Sequence, residues 1–173
     1  PDSWQLLDKK IRFNNDKVKF DLGGVIKEVA VDQAGQLAKE AGLSALINFG
    51  GDIYVNGNKP NGDAFNVAIK NPQDTQQAIA VVQLSNQGLT TSAHYERSTQ
   101  VEGKSYSHII DTRDIRSKDQ STEITILSAT AISDSVLTSG LSTTALMIDS
   151  NLKPLPNSSI VLVDDQLNIR HNL

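Results

Sequence analysis

Only two stretches of this 173-residue chain carry apolar residues at helical spacing, and the rest is cut into short apolar runs by turn residues. In 25–41 the apolar positions are Val25, Val29, Ala30, Ala34, Leu37, Ala38 and Ala41, with Gly42 placed as a C-cap residue. In 133–147 they include Val136, Leu137, Leu141 and Ala145, with Gly140 and Thr144 on the same pattern. Elsewhere strands are predicted. An Asn-Asn-Asp turn leads into a short alternating strand carrying Val18 and Phe20. LSALINF (43–49) reads as a buried strand stopped by Gly-Gly-Asp, followed by strands over 53–55, 65–69 and 79–85 and a turn at Asn86-Gln87-Gly88. Residues 89–111 read as a hairpin turning at Glu102-Gly103-Lys104. A strand over 124–127 follows, then SSIVLVDD (158–165) turns at Asp164-Asp165 into LNIRHN (167–172). Strands outnumber helices and most are joined by short turns. That predicts an α+β fold, a mainly antiparallel sheet with two helices packed on it, in a single domain over 1–173.

Charge and composition exclude several functions. A net charge of −4 and a pI near 5.3 argue against a surface dedicated to nucleic acid or anionic membrane. Aromatic residues make up 5%, too few for a stacking platform on single strands. With no cysteine there is no disulfide framework, no thiolate chemistry, and no Cys-ligated zinc or iron–sulfur centre. No apolar run approaches the roughly 20 residues that cross a bilayer as a helix. The chain opens on PDSWQLLDKK without Met, which fits removal of the true N-terminus.

Four short stretches carry candidate chemistry. In DLGG (21–24) two glycines run straight into a helix. The pair is an ordinary strand-to-helix turn, or it bares a helix amino end for a phosphate, with Lys27 adding positive charge. It is neither GxxxxGK[ST] nor GxGxxG. NFGGDIYVNG (48–57) repeats the character: Gly50 and Gly51 precede Asp52, which either braces a turn or leads a backbone that a ligand approaches. SYSHIID (105–111) alternates, so Tyr106, His108 and Ile110 share a strand face. His108 is the one histidine in a patterned strand, either a hydrogen-bonded structural residue or a base, while His94 and His171 read as surface residues. In SDSVLTS (133–139) Asp134 and Thr138 stand four apart, one helical turn. Asp134 is a helix cap, or with Thr138 and a backbone carbonyl it forms an oxygen site for Mg²⁺ completed by a diphosphate.

The order DLGG(V/I)xK, NxGGDI, TTSxxYE, SHIID and AxxDxxxT resembles the ApbE family of FAD:protein FMN transferases, from about Phe20 to Met147. The resemblance implies an ApbE-like domain that is the C-terminal portion of a longer protein, without the N-terminal part that helps build the family's flavin pocket. It implies FAD as flavin donor and Mg²⁺ as cofactor. FMN would be transferred to a Thr or Ser hydroxyl of an acceptor flavoprotein, with AMP released. Some members instead hydrolyse FAD to FMN and AMP. Carried over by position, Asp134, Thr138 and the carbonyl of Ile26 match the metal ligands. His108 matches the base, and Gly23, Gly24, Lys27, Gly50, Gly51, Asp52 and Ser92 match the nucleotide side. The family usually works outside the cytoplasmic membrane, often as a lipoprotein. Three departures stand out. Glu28 replaces the usual Gly after Lys27 and puts a carboxylate near the presumed phosphate site. Ala93 replaces the Gly of TSG. The family's HIIDPRTG becomes HIIDTRDI, without its Pro and Gly. A non-catalytic binding domain on the same fold is the alternative these departures raise.

Overall fold

A computed structural model of the chain describes residues 3–94, 98–101, 104–107 and 126–173, with the backbone alone for 98–101 and 104–107. In chain order the elements are β1 (Trp4–Leu7), β2 (Lys10–Phe13), α1 (Ile26–Glu40), β3 (Ala45–Phe49), β4 (Asp52–Asn56), β5 (Phe65–Lys70) and β6 (Ala78–Leu84). They continue as β7 (Gln87–Ala93), β8 (Ser98–Val101), β9 (Lys104–Ser107), β10 (Ile126–Ser133), α2 (Val136–Ile148), β11 (Ser159–Asp164) and β12 (Ile169–His171).

Six strands form one sheet in the order β12-β11-β10-β7-β4-β3, and every neighbouring pair is antiparallel. The α+β expectation holds, with two helices on a mainly antiparallel sheet. Alternation along each strand divides its residues between two faces. On one face Ile53, Val55, Leu89, Ile132 and Val161 join Val67, Ile69, Val82 and Leu84 of the β5–β6 hairpin in a single core. On the other face Ala129, Ala131, Ile160 and Leu162 meet Leu146 of α2. The two alanines of β10 are small, and α2 meets the sheet with buried Ser139, bonded to Gly88 O of β7, and buried Thr143, bonded to Ser92 of β7. Small residues on both sides let helix and sheet approach closely.

The helix over 25–41 forms as α1, and Gly42 follows it at φ +67, with Leu43 N donating to Ala38 O as in a Schellman ending. The hairpin turn at 102–104 is matched by the pairing of Val101 with Lys104, and the C-terminal hairpin by β11 with β12. Other expectations are corrected. Residues 18–20 form no strand. Phe20 instead packs its ring on Trp4 and Phe13, at 5.8 and 5.4 Å between centroids, on a β1–β2 hairpin the alternation did not reveal. Residues 45–49 are not a buried strand. β3 ends the sheet, and Leu46 and Phe49 stay exposed, because one side of an edge strand has no neighbour. LTTSA (89–93) belongs to the central strand β7, apart from the β8–β9 hairpin. The second helix starts at Val136, since Ser133 still pairs with Gly88 in β10.

Candidate functional site

The amino end of α1 follows the DLGG turn. Asp21 Oδ1 accepts from Gly23 N at 2.8 Å, and Leu22 O accepts from Val25 N and Ile26 N, both at 2.9 Å. No side chain caps this end, where Val25 occupies the N-cap position. A Cβ on Gly24 would meet nothing within 4 Å. The end is open, as an approaching anion requires.

Lys27 is committed elsewhere. Its Nζ lies 2.8 Å from Asp52 Oδ2, a close ion pair rather than an aligned hydrogen bond. Asp52 opens β4 and is 3% exposed, so the pair fastens α1 to the sheet. The expected free positive charge at the α1 end is therefore balanced by a carboxylate. Gly50 and Gly51 join β3 to β4 as a two-residue turn between the paired Phe49 and Asp52, at φ +61 and +104. Those angles alone call for glycine, as in a type I′ hairpin. Gly51 N is also held by Asn48 Oδ1 at 2.9 Å.

Glu28 is turned into the seam between the two helices. It is 7% exposed and lies against Gly140 of α2, where a Cβ would come within 3.0 Å of Glu28 Cγ. Its Oε2 is buried without a hydrogen-bond partner. Ala93 is fully buried and paired with Ser128 in the sheet, so its methyl packs inside the protein. Ser92 Oγ shares a 2.9 Å hydrogen bond with Thr143 Oγ1, which holds it against α2.

The amino end of α2 is built differently. Ser135, not Asp134, is its N-cap: Ser135 Oγ accepts from Thr138 N at 3.1 Å and donates to Thr138 Oγ1 at 2.9 Å. Asp134 lies one residue ahead of the cap, exposed, with Oδ2 accepting from Asn157 Nδ2 at 3.3 Å. A second cap comes from α1. Asp32 Oδ1 accepts from Val136 N at 2.7 Å and Oδ2 from Leu137 N at 3.0 Å, across 104 and 105 residues. Gly88 of β7 lets this end sit directly on the sheet. A Cβ there would lie 2.5 Å from Val136 N and 2.7 Å from Ser135 C. Ser139 Oγ donates to Gly88 O at 3.2 Å. Tyr54 of β4 packs under Gly35 of α1, where a Cβ would come within 2.4 Å of the ring. Its phenol pKa is raised by burial first, then by the negative charges of Asp32 and Asp134.

The structure thus gathers Asp134, Thr138, Asp32 and Tyr54 around the amino end of α2. The α1–α2 seam runs through Glu28 and Asp32, and Ile26 lies two residues ahead of Glu28 at the start of α1. The sequence did not point to Asp32, Tyr54 or Gly88. One available signal was Asp32 four residues after Glu28, two carboxylates on one face of α1. His108 lies outside the described residues. His94 is half-buried and His171 exposed. Among the described residues no three His, Cys, Asp or Glu side chains converge as a metal cluster.

These features define an α+β protein in which one open and one doubly capped helix end lie over an antiparallel sheet. The chain belongs to the ApbE family, whose profile matches residues 2–154. It is 31% identical over 124 residues to the FAD:protein FMN transferase of Escherichia coli K12, covering 70% of this chain and 35% of that protein. It is 34% identical over 133 residues to the protein of the same name from Rhodobacter capsulatus, covering 74% of this chain and 25% of that one. The fold matches the ApbE protein of Thermotoga maritima with a TM-score of 0.84 at 24% identity, over 98% of this chain and 57% of that one. It matches the apo flavinyl transferase ApbE of Pseudomonas stutzeri with a TM-score of 0.72 at 21% identity, over 98% of this chain and 53% of that one. The chain spans between a quarter and about a third of the length of these two transferases.

Proposed function

We propose that this chain carries the metal-binding half of a Mg²⁺-dependent transferase that moves FMN from FAD to a Thr or Ser hydroxyl of an acceptor flavoprotein and releases AMP. The observation that carries the reading is the pairing of an open α1 end with the Asp134 carboxylate and Thr138 hydroxyl at the amino end of α2. The donor set suits the ion. Asp134 supplies one exposed carboxylate, Thr138 a hydroxyl and Ile26 a backbone carbonyl, all hard oxygens. A single carboxylate agrees with an ion that keeps its waters and takes further oxygens from a diphosphate. Bound Mg²⁺ would neutralise charge on the diphosphate as the bond to AMP breaks.

The chain's own residues have separate tasks. Gly23 and Gly24 leave room at the α1 end for the diphosphate of FAD, and its dipole favours an anion there. The Lys27–Asp52 pair holds α1 on β4, beside the turn of Gly50 and Gly51. Ser92 holds α2 through Thr143, a positioning task in place of direct contact with the nucleotide. His108 takes the proton from the acceptor hydroxyl as its oxygen bonds to the FMN phosphorus and the diphosphate bond breaks. On this reading the protein would work outside the cytoplasmic membrane, anchored as a lipoprotein. No helix of the described residues is long and apolar enough to cross a membrane.

A second reading rests on Glu28 and Lys27. A buried, unpartnered carboxylate oxygen beside α2 and a lysine already balanced by Asp52 leave the α1 end less cationic than a diphosphate prefers, as in a non-catalytic domain on this fold.

The deciding experiment mixes the full-length protein with FAD, Mg²⁺ and a flavin-acceptor domain, and measures the acceptor's intact mass. A gain equal to FMN, absent in Asp134→Ala, is the expected result. Free FMN without a mass gain would identify hydrolysis of FAD. No consumption of FAD would favour the non-catalytic domain.

A further inference from the structure

We propose that Asp32 is the positioning residue that turns the amino end of α2 into a cation site, by holding its first amides and cancelling its positive charge. The inference rests on the cation reading of Asp134 and Thr138 given above.

The hydrogen bonds come first. A helix leaves its first amides without partners inside the helix, and they make its amino end an anion site. In α2 the chain itself satisfies them. Asp32 takes the amides of Val136 and Leu137, one with each carboxylate oxygen, and Ser135 takes that of Thr138. Ser139 N already bonds Ser135 O within the helix ladder. This end therefore has no amide left for a phosphate oxygen. The α1 end, with no side-chain cap and open space at Gly24, has the opposite character.

Charge completes the argument. An amino end carries about +0.5 of an elementary charge, which repels a cation placed beside it. Asp134 stands one residue ahead of the N-cap, within that field. Asp32 and Asp134 bring a formal −2, so the neighbourhood totals about −1.5 once the helix end is included. That balance favours a divalent cation over an anion. Both carboxylates act on the Tyr54 phenol, which marks them as occupants of one electrostatic neighbourhood. The bidentate bond also fixes the first turn of α2 against α1, and with it the spacing of Thr138 from Asp134.

The test measures Mn²⁺ binding to the chain by loss of the free-ion electron paramagnetic resonance signal, with no flavin and no turnover. Asp32→Asn retains one acceptor oxygen and removes the charge, and it is expected to weaken Mn²⁺ binding on the order of tenfold. Val31→Ala truncates a fully buried neighbour on the same helix without changing charge, and it should stay within about twofold of the wild type. Asp32→Glu keeps the charge and should bind Mn²⁺ more tightly than Asp32→Asn. If Asp32→Asn does not fold, Asp32→Glu against wild type and Val31→Ala decides, because a Glu variant weakened tenfold or more would show that charge is not the cause. Wild-type affinity in Asp32→Asn overturns the role of Asp32 and leaves the Asp134–Thr138 site standing. A wild-type chain with no saturable Mn²⁺ site overturns the cation reading itself, and the inference with it.

Discussion

The two helices of this fold begin in opposite ways. α1 starts after a bare Gly-Gly turn with no side-chain cap, while α2 starts under two caps, one from Ser135 and one from Asp32 on the other helix. Both ends have the same backbone dipole. What differs is what the chain has already placed on them. An end left open is suited to a ligand's negative charge. An end closed by the protein's own carboxylate is suited to a positive one. The function proposed above, a diphosphate held with Mg²⁺, would call on both kinds of neighbour, and both depend on α1: its amino end is the open one, and Asp32 from its middle closes the other.

Glycine substitutions break the comparison most forcefully. Gly88→Ala drives a methyl into the backbone of Ser135 and Val136, at 2.7 and 2.5 Å, where no flexible side chain can yield. A loss of about 3 kcal/mol is expected, near the upper end for overpacking, with a melting temperature lower by roughly 6–12 °C. Gly24→Ala places its methyl in open space and should change stability by less than about 0.5 kcal/mol. Thermal melts of the two variants check the contrast. Equal melting temperatures would show that the α2 end is not seated on β7 as described.

The Lys27–Asp52 pair is the next test. Lys27→Ala leaves the Asp52 carboxylate buried without a counter-charge and is expected to cost about 2 kcal/mol. Adding Asp52→Asn should recover part of that loss, because the burial penalty of the charge disappears. Chemical denaturation of the single and double variants measures the coupling. A double variant as unstable as the sum of its parts would mean that the pair contributes nothing at the seam of α1 and β4.

Much of the fold was legible in the sequence because it is local. The period of 25–41, the glycine after it and the turn residues between strands each act within a few residues. The strand order was not legible, nor was the β1–β2 hairpin, whose faces are exposed and whose apolar residues meet Phe20 from outside the hairpin. The site divides along the same line. Asp134 and Thr138 were visible as a four-residue spacing. Asp32, which caps the same helix, was not, because its partners lie 104 and 105 residues away. Local reasoning treated Gly50 and Gly51 as a choice between turn and ligand, and the positive φ values account for both glycines through the turn. Nor does local reasoning show that the register of α1 turns the Glu28 side chain onto Gly140 of α2.

Tyr54 gives the smallest and most specific readout. Its phenol pKa is raised from 10.0 by burial and by the carboxylates of Asp32 and Asp134. The folded state therefore favours the neutral phenol more than the unfolded chain does. That contribution to stability is fully present below pH 10 and is lost as pH rises through the higher folded-state value. Tyr54→Phe should flatten the alkaline arm of the stability profile and leave neutral stability nearly unchanged. With Tyr54 retained, Asp32→Asn removes one of the two raising charges, so the Tyr54 titration, followed by phenolate absorbance, should move down relative to the wild type. A divalent cation on Asp134 should move it the same way by offsetting the other charge. A Tyr54 titration indifferent to Asp32→Asn would separate the phenol from the doubly capped end, and the electrostatic contrast between the two helices would then rest on the hydrogen bonds alone.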